Sequence, residues 1–485
     1  MNRLYAVEPM PSPTGARADH RLPLRANDIQ EFAWALATNL KVANGPTKGD
    51  NADIYKWIPG IGKDLQQNAG ASLVIAGDYQ PPIVHALAHA MNEKLGNVGK
   101  TVFYTDPLEV DPVDQLASLE ELVKDLDAGA VELLLILGGN PAFNAPVELG
   151  MGDRLQKARM RVHLGLYHDE TSQVCQWHLP ETHYLETWGD ARAFDGTVTL
   201  QQPLIQPLYD GRSAVQVLQM LTENPEVSPY SIVKGYWASQ HKGADFESWW
   251  RRSVHDGFIT GSSLPAKTPA LRGDAISSSA QKPKLGGKLE VIFRPDPAIY
   301  DGRFANNGWL QELPKPITKL TWDNAAIMSP ATAHQLGVLK ETLDAGYSGV
   351  PMVELTYQGR SLRAPVWSQP GQVDGCVVLH LGYGRTKAGR TGTGIGFNPY
   401  GLRTANALWN DVGLTAKQTA GSYDIATTQN DHVLDTRRHI IQSGTLAEYL
   451  KDPESIHEGA EEPPRGLTIY PEWQYPGYAW GMAIT

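Results

Sequence analysis

The chain has 485 residues, 41% hydrophobic and 20% charged, a globular composition too long for one core and sized for two or three domains. Its 53 Asp and Glu outweigh 42 Lys and Arg, and with no long basic stripe a nucleic-acid partner is excluded. Two cysteines far apart, Cys175 and Cys376, exclude a disulfide framework, and no C-x-x-C spacing exists for a local iron–sulphur, zinc or haem site.

In chain order, Leu4 to Val7 reads as a short buried strand, and Asn27-Asp28 offers an N-cap for an amphipathic helix over Ile29 to Leu40. Repeated α/β units follow. Ser72 to Gly77 is expected as a buried strand, Pro81 to Leu95 as a helix, Thr101 to Tyr104 as a strand and Pro112 to Ala128 as a helix. Val131 to Leu137 is a strongly apolar strand running into Gly138-Gly139-Asn140-Pro141, and Arg161 to Leu166 is another strand. Alternation of this kind predicts a parallel sheet with ligands at the strand C-termini. The longest apolar run, Val131 to Leu137, is far short of the ~20 residues of a membrane helix, so no direct span is expected.

Two helical stretches lie between Ser228 and Gly257, the second, Asp245 to His255, carrying Trp249-Trp250. Such a pair of large aromatics is expected to anchor an interface. Thr260 to Gly287 reads as a linker. Beyond it come short strands (Leu289 to Arg294, Val353 to Tyr357, Leu362 to Val366, Val377 to Leu381) with one helix, Pro330 to Leu336, a β-barrel pattern.

The stretch His163 to Pro203 gathers most of the chemistry. His168, Cys175, His178 and His183 match zinc ligands in number and type, but their spacing fits no standard zinc module; the alternative is polar side chains lining a crevice. Gly384 to Thr391 nearly spells a P-loop, yet no helix can follow it, which rejects a nucleotide hydrolase. What remains is a cationic glycine-rich loop (Arg385, Lys387, Arg390) whose N–H groups suit a pyrophosphate, or a solvated surface loop. No Gly-x-Ser-x-Gly nucleophile motif occurs.

Taken together, LILGGNPAFNAP, HLPETHYLETWGD and FDGTVTLQQPLI resemble the later part of molybdopterin oxidoreductase catalytic subunits. MSPATAHQLGV, APVWSQPGQVDGCVVLHLGYGR and GTGIGFNPYGLRT are similar to that family's C-terminal dinucleotide-binding barrel. RLYAVEPMPSPTGARADHRLPLR, HALAHAMNEKLGN, HDETSQVCQWHLPETHYLETWGD and YPEWQYPGYAWGMAIT look closer still to the molybdopterin-like and iron–sulphur subunit of alternative complex III, a quinol:electron-acceptor oxidoreductase.

That resemblance implies an α/β fold, with Rossmann-like parallel-sheet domains followed by a double-psi β-barrel. Residues 1–50 would end one α/β domain, 51–225 form the next, 226–287 a helical segment and linker, 288–445 the barrel, and 446–485 a tail leading to a ferredoxin-like domain. It also implies a middle piece of that subunit, lacking an export-signal-bearing first part. The implied role is a non-catalytic scaffold with no cofactor of its own, iron–sulphur clusters in the adjoining domain, and haem c, quinol-binding membrane and iron–sulphur subunits as partners on the periplasmic face. Gly139, Asn140, Trp188, Gly189, Asp190, Arg385 and Asn398 match cofactor-facing positions of true molybdoenzymes and would mark a vestigial crevice. The alternative is an active subunit that binds molybdopterin guanine dinucleotide.

Overall fold

The computed structural model describes residues 2–44, 51–222, 227–272, 276, 289–339, 349–428 and 443–454, with single positions of the tail. They belong to two units, Met1–Thr428 and Gln429–Thr485. In the second, the helix Leu446–Lys451 starts on a capping box between Thr445 and Glu448. Most of the expected linker after residue 272 and most of the aromatic tail lie outside the described residues.

The first unit opens on a parallel pair, β1 (Tyr5–Glu8) and β2 (His20–Pro23), followed by α1 (Ala26–Asn39). The expected start at Asn27-Asp28 is displaced because the cap comes from elsewhere: the Glu290 carboxylate accepts the N–H groups of Ala26 and Asn27, each at 2.9 Å. α1 packs with α2 (Ala52–Gln67) and α3 (Pro82–Lys94) around Phe32, Leu36, Ile54, Ile58, Leu87 and Met91. The interior Pro59 hides α2 from sequence reading, but Ile54, Ile58 and Ile61 still fall on one buried stripe.

The expected strand at Ser72–Gly77 joins no sheet. Asn92 stands in for a neighbouring strand, its amide accepting from Val74 N–H at 2.9 Å and donating to Val74 C=O at 2.7 Å, while Ile75 is 75% exposed. Thr101 to Tyr104 likewise makes only isolated bridges. After α4 (Gln115–Asp127) comes the parallel sheet: β3 (Leu133–Leu137), β4 (Met160–Gly165) and β5 (Trp177–Pro180), with β4 in the centre. Leu134 and Ile136 pack on Val123, Leu126 and Leu155. On the opposite face Leu133, Leu137, Met160 and Trp177 are exposed, while Leu164 is buried.

An antiparallel sheet of β6 (Gly189–Arg192), β7 (Val198–Gln201) and β8 (Phe258–Ile259) carries its own core with α5 (Pro229–Gln240) and α6 (Phe246–Asp256). This overturns the surface-anchor reading of Trp249-Trp250. Trp250 is 2% exposed, its indole N–H donating to Tyr230 Oη at 3.0 Å, and Trp249 stacks on His241. On α6 both rings fall toward the sheet, where burial of aromatic area outweighs display.

The closed barrel has six strands: β9 (Leu289–Arg294), β10 (Ala326–Met328), β11 (Val350–Tyr357), β12 (Arg360–Ser368), β13 (Cys376–His380) and β14 (Asn410–Tyr423), neighbours in the order β10-β12-β11-β14-β9-β13. Val291, Phe293, Met328, Val353, Leu355, Val377 and Leu379 fill it. The sequence pattern misses β14 because its outward residues are polar and Gly413 interrupts it at a register shift.

Against the barrel lies a buried polar knot. Lys315 Nζ donates to the Asp323 carbonyl at 2.9 Å and to Tyr383 Oη at 3.0 Å, and sits 3.6 Å from Asp296 Oδ2. His380 Nδ1 is 3.6 Å from that same oxygen. Burial pushes Asp323 up to about 6, against the hydrogen bond from Tyr423, and pushes His380 down to about 4. Asp323 therefore adds stability that is present in acid and lost as pH rises through about 6, whereas the contribution of His380 is lost as pH falls toward 4. The two slopes oppose each other. In thermal melts referenced to wild type, His380→Asn should gain in relative Tm as pH is lowered from 6 to 4, and Asp323→Asn should lose. Parallel pH profiles for all three proteins would remove this assignment.

Candidate functional site

β3 delivers the chain into a sharp turn at Gly138-Gly139, both at positive φ (66° and 71°), which aims Asn140 across the C-terminal edge of the sheet. There a cavity of about 270 Å³ is bounded by Gly139, Asn140, Phe143, His163, Glu181, Asp301, Arg303 and Arg385. It lies where the α/β part meets the loops of the barrel.

β4 contributes a buried hydrogen-bond network. His163 Nε2 meets the Gly139 carbonyl at 3.1 Å, and since a carbonyl only accepts, Nε2 carries the proton. Ser172 Oγ lies 2.6 Å from His163 Nδ1 and 3.0 Å from His178 Nδ1, joining the two imidazoles. Asp169 caps the following helical turn through Ser172 N–H at 2.9 Å. Serine, histidine and aspartate are thus adjacent, but the second nitrogen of His163 faces a carbonyl instead of the carboxylate, and Ser172 is 2% exposed. This is a structural network and not a nucleophile triad. His168 meets His178 edge to face, and His183 packs on Tyr184. Burial raises the Cys175 thiol above its usual range. Among the described residues no three His, Cys, Asp or Glu side chains are grouped to hold a metal ion.

The glycine-rich loop is pinned rather than flexible. Gly384 N–H donates to Ile395 C=O at 2.7 Å, Gly394 N–H to Arg385 C=O at 2.8 Å, and Thr391 N–H to Asn306 Oδ1 at 2.9 Å. At Gly384 (φ 71°) a Cβ would stand 2.4 Å from the Asn398 nitrogen, so only glycine fits. Arg385 lies with its side chain 6% exposed, its guanidinium 4.7 Å above the Phe143 ring. Its charge is met by Glu170. Arg385 Nε donates to both carboxylate oxygens at 3.0 Å and Nη2 to Oε2 at 2.7 Å, while Nη1 is held by the Gly302 carbonyl at 2.6 Å. The N–H groups of Thr386 and Lys387 add bonds of 2.8 and 2.9 Å to Oε1, and Asn140 Nδ2 adds one of 2.8 Å to Oε2. Burial acts to raise the Glu170 pKa, but Arg385, Asn140 and the Lys387 N–H together outweigh it and hold it at about 2.

The seven matched positions are therefore not one constellation. Gly139, Asn140 and Arg385 share the cavity. Trp188, Gly189 and Asp190 belong to the satellite sheet, where Trp188 packs on Tyr230 and Asp190 accepts the Trp237 indole N–H at 2.8 Å. Asn398 caps the Pro399–Gly401 turn and lines a second cavity of about 250 Å³ beside Phe143. The side chains of Lys387 and Arg390 are exposed. Sequence reading missed Glu170, whose only local signal is its place behind the Asp169 cap, because its partners in the barrel loop stand 215 to 217 residues on and Asn140 stands 30 residues before it.

No family model and no curated protein matches the sequence. Among solved structures, acetylene hydratase from Pelobacter acetylenicus superposes with a TM-score of 0.52 over 86% of this chain and 74% of that one, at 12% identity. The likeness gives the chain a molybdopterin oxidoreductase-like fold. At such identity the likeness carries architecture and no residue roles. A pterin dinucleotide requires free donors for its diphosphate. In this chain the buried guanidinium and the loop amides already face Glu170. The residues as they stand do not fit that group.

Proposed function

We propose that this chain is a non-catalytic molybdopterin-fold body in a quinol:electron-acceptor oxidoreductase of the alternative complex III type. In this reading it supports electron transfer through an adjoining iron–sulphur domain and contacts haem c and quinol-binding membrane subunits on the periplasmic face. The observation that carries it is Glu170, an internal carboxylate seated on the donors a diphosphate would need. The apolar sheet face bearing Leu133, Leu137, Met160 and Trp177 favours an assembly role, because parallel sheets are ordinarily covered on both faces. No helix among the described residues is long and apolar enough to cross a membrane. We read the barrel as double-psi, in keeping with its two parallel pairings, β10 with β12 and β9 with β13, among antiparallel ones.

The competing reading, an active subunit loaded with molybdopterin guanine dinucleotide, has the shared fold in its favour. The two part on one measurement. Protein purified from its native cells should carry no stoichiometric molybdenum, tungsten or acid-released fluorescent pterin, and should co-purify with haem- and iron–sulphur-bearing subunits. A stoichiometric metal with pterin would establish the active subunit instead.

A further inference from the structure

The structure assigns an oxyanion receptor to Arg385–Lys387 and Asn140, with Glu170 as its resident anion. The receptor is built before it is filled. Arg385 is fixed through Nη1 on the Gly302 carbonyl at 2.6 Å and through one Nη2 hydrogen on the Lys387 carbonyl at 3.0 Å, with Nε and the other Nη2 hydrogen aimed at one point. The successive N–H groups of Thr386 and Lys387 converge on that point, the arrangement by which backbone cradles an anion. Thr386 Oγ1 at 3.3 Å and Asn140 Nδ2 at 2.8 Å complete the ring.

The donor count identifies the ligand class. Oε1 faces Arg385 Nε, Thr386 N–H, Thr386 Oγ1 and Lys387 N–H, and Oε2 faces Arg385 Nε and Nη2 with Asn140 Nδ2. Two carboxylate oxygens offer about four lone-pair sites, fewer than the donors arrayed around them. A phosphoryl group, with three oxygens and higher charge, would use the surplus. Glu170 holds the place because it is tethered directly beside Asn140's own partner Thr171, which gives it a high effective concentration at the receptor. It joins the α/β part to the barrel loop as a bound phosphate would.

This rests on the reading of the crevice as closed to its dinucleotide, and it is tested separately in the full chain. Wild type should show no calorimetric binding of inorganic diphosphate at millimolar concentration. Glu170→Ala should bind it at least ~10-fold more tightly than wild type, a gain of ~1.4 kcal/mol, with phosphate weaker and acetate weakest. Adding Arg385→Leu should abolish the gain. A folded Glu170→Ala protein that binds no diphosphate, or whose binding survives Arg385→Leu, overturns the assignment. If Glu170→Ala does not fold unaided, soluble refolding yield with diphosphate is compared with sodium chloride at equal ionic strength, and equal yields overturn it as well. Pterin in the native protein would defeat the scaffold reading and the receptor with it, whereas failed rescue would defeat the receptor and leave the scaffold reading to the metal and pterin assay.

Discussion

Glu290→Ala is expected to destabilise the Met1–Thr428 unit by about 3 kcal/mol, read as a lower urea midpoint. Glu290 is fully buried on β9, yet its carboxylate serves three donors: the N–H groups of Ala26 and Asn27 at 2.9 Å and the Cys376 thiol at 3.0 Å. Burial raises its pKa, so the site keeps this acid for its acceptors despite the cost of desolvating it. Truncation strands the first N–H groups of α1, and Ala26 is 3% exposed, so water has little access to replace the carboxylate. Glu290→Gln keeps one acceptor oxygen but turns an amide N–H₂ toward other donors, and should fall between alanine and wild type. A midpoint unchanged by Glu290→Ala would mean that α1 does not depend on the barrel for its cap.

Lys315→Met should cost about 3–5 kcal/mol, because it leaves the Asp296 carboxylate buried without its cation. Asp296 Oδ1 is served by the N–H groups of Ala298 and Ile299 at 2.9 and 3.1 Å, but Oδ2 has no hydrogen bond and depends on Lys315 and His380 at 3.6 Å. Asp296→Asn retains the Oδ1 acceptor and removes the charge. The double variant Lys315→Met/Asp296→Asn should therefore recover much of the stability lost by Lys315→Met, a coupling that a double-mutant cycle measures directly. Strict additivity would show that the lysine acts only through Tyr383 and the Asp323 carbonyl.

Local grammar was legible. Apolar runs bounded by glycine located β3, β4 and β9, and Asp245 was rightly read as opening α6. The same grammar misread Ser72–Gly77, since an apolar extended run says nothing about whether a neighbour will pair with it, and here a side-chain amide does so. It also misjudged Trp249-Trp250, because the sequence shows that a helix is amphipathic without showing which sheet will meet it. Of the candidate site, Asn140 and Arg385 were named from their motifs, yet nothing near either foretold that a single carboxylate would join them.

By itself the sequence determined strands β3 and β4 of the parallel sheet, the change to a strand-rich barrel, and the lack of a cysteine framework for a cluster. Those properties follow from side-chain period, turn residues and ligand counts, all of which act within a few positions of the chain. Only the tertiary structure decided that Glu290 caps a helix 264 residues away and that Glu170 closes on Arg385 at a separation of 215. A hydrogen bond between distant charges leaves no periodic mark on either segment; it exists because folding brings the barrel loops against the sheet and burial makes every unmatched donor there costly.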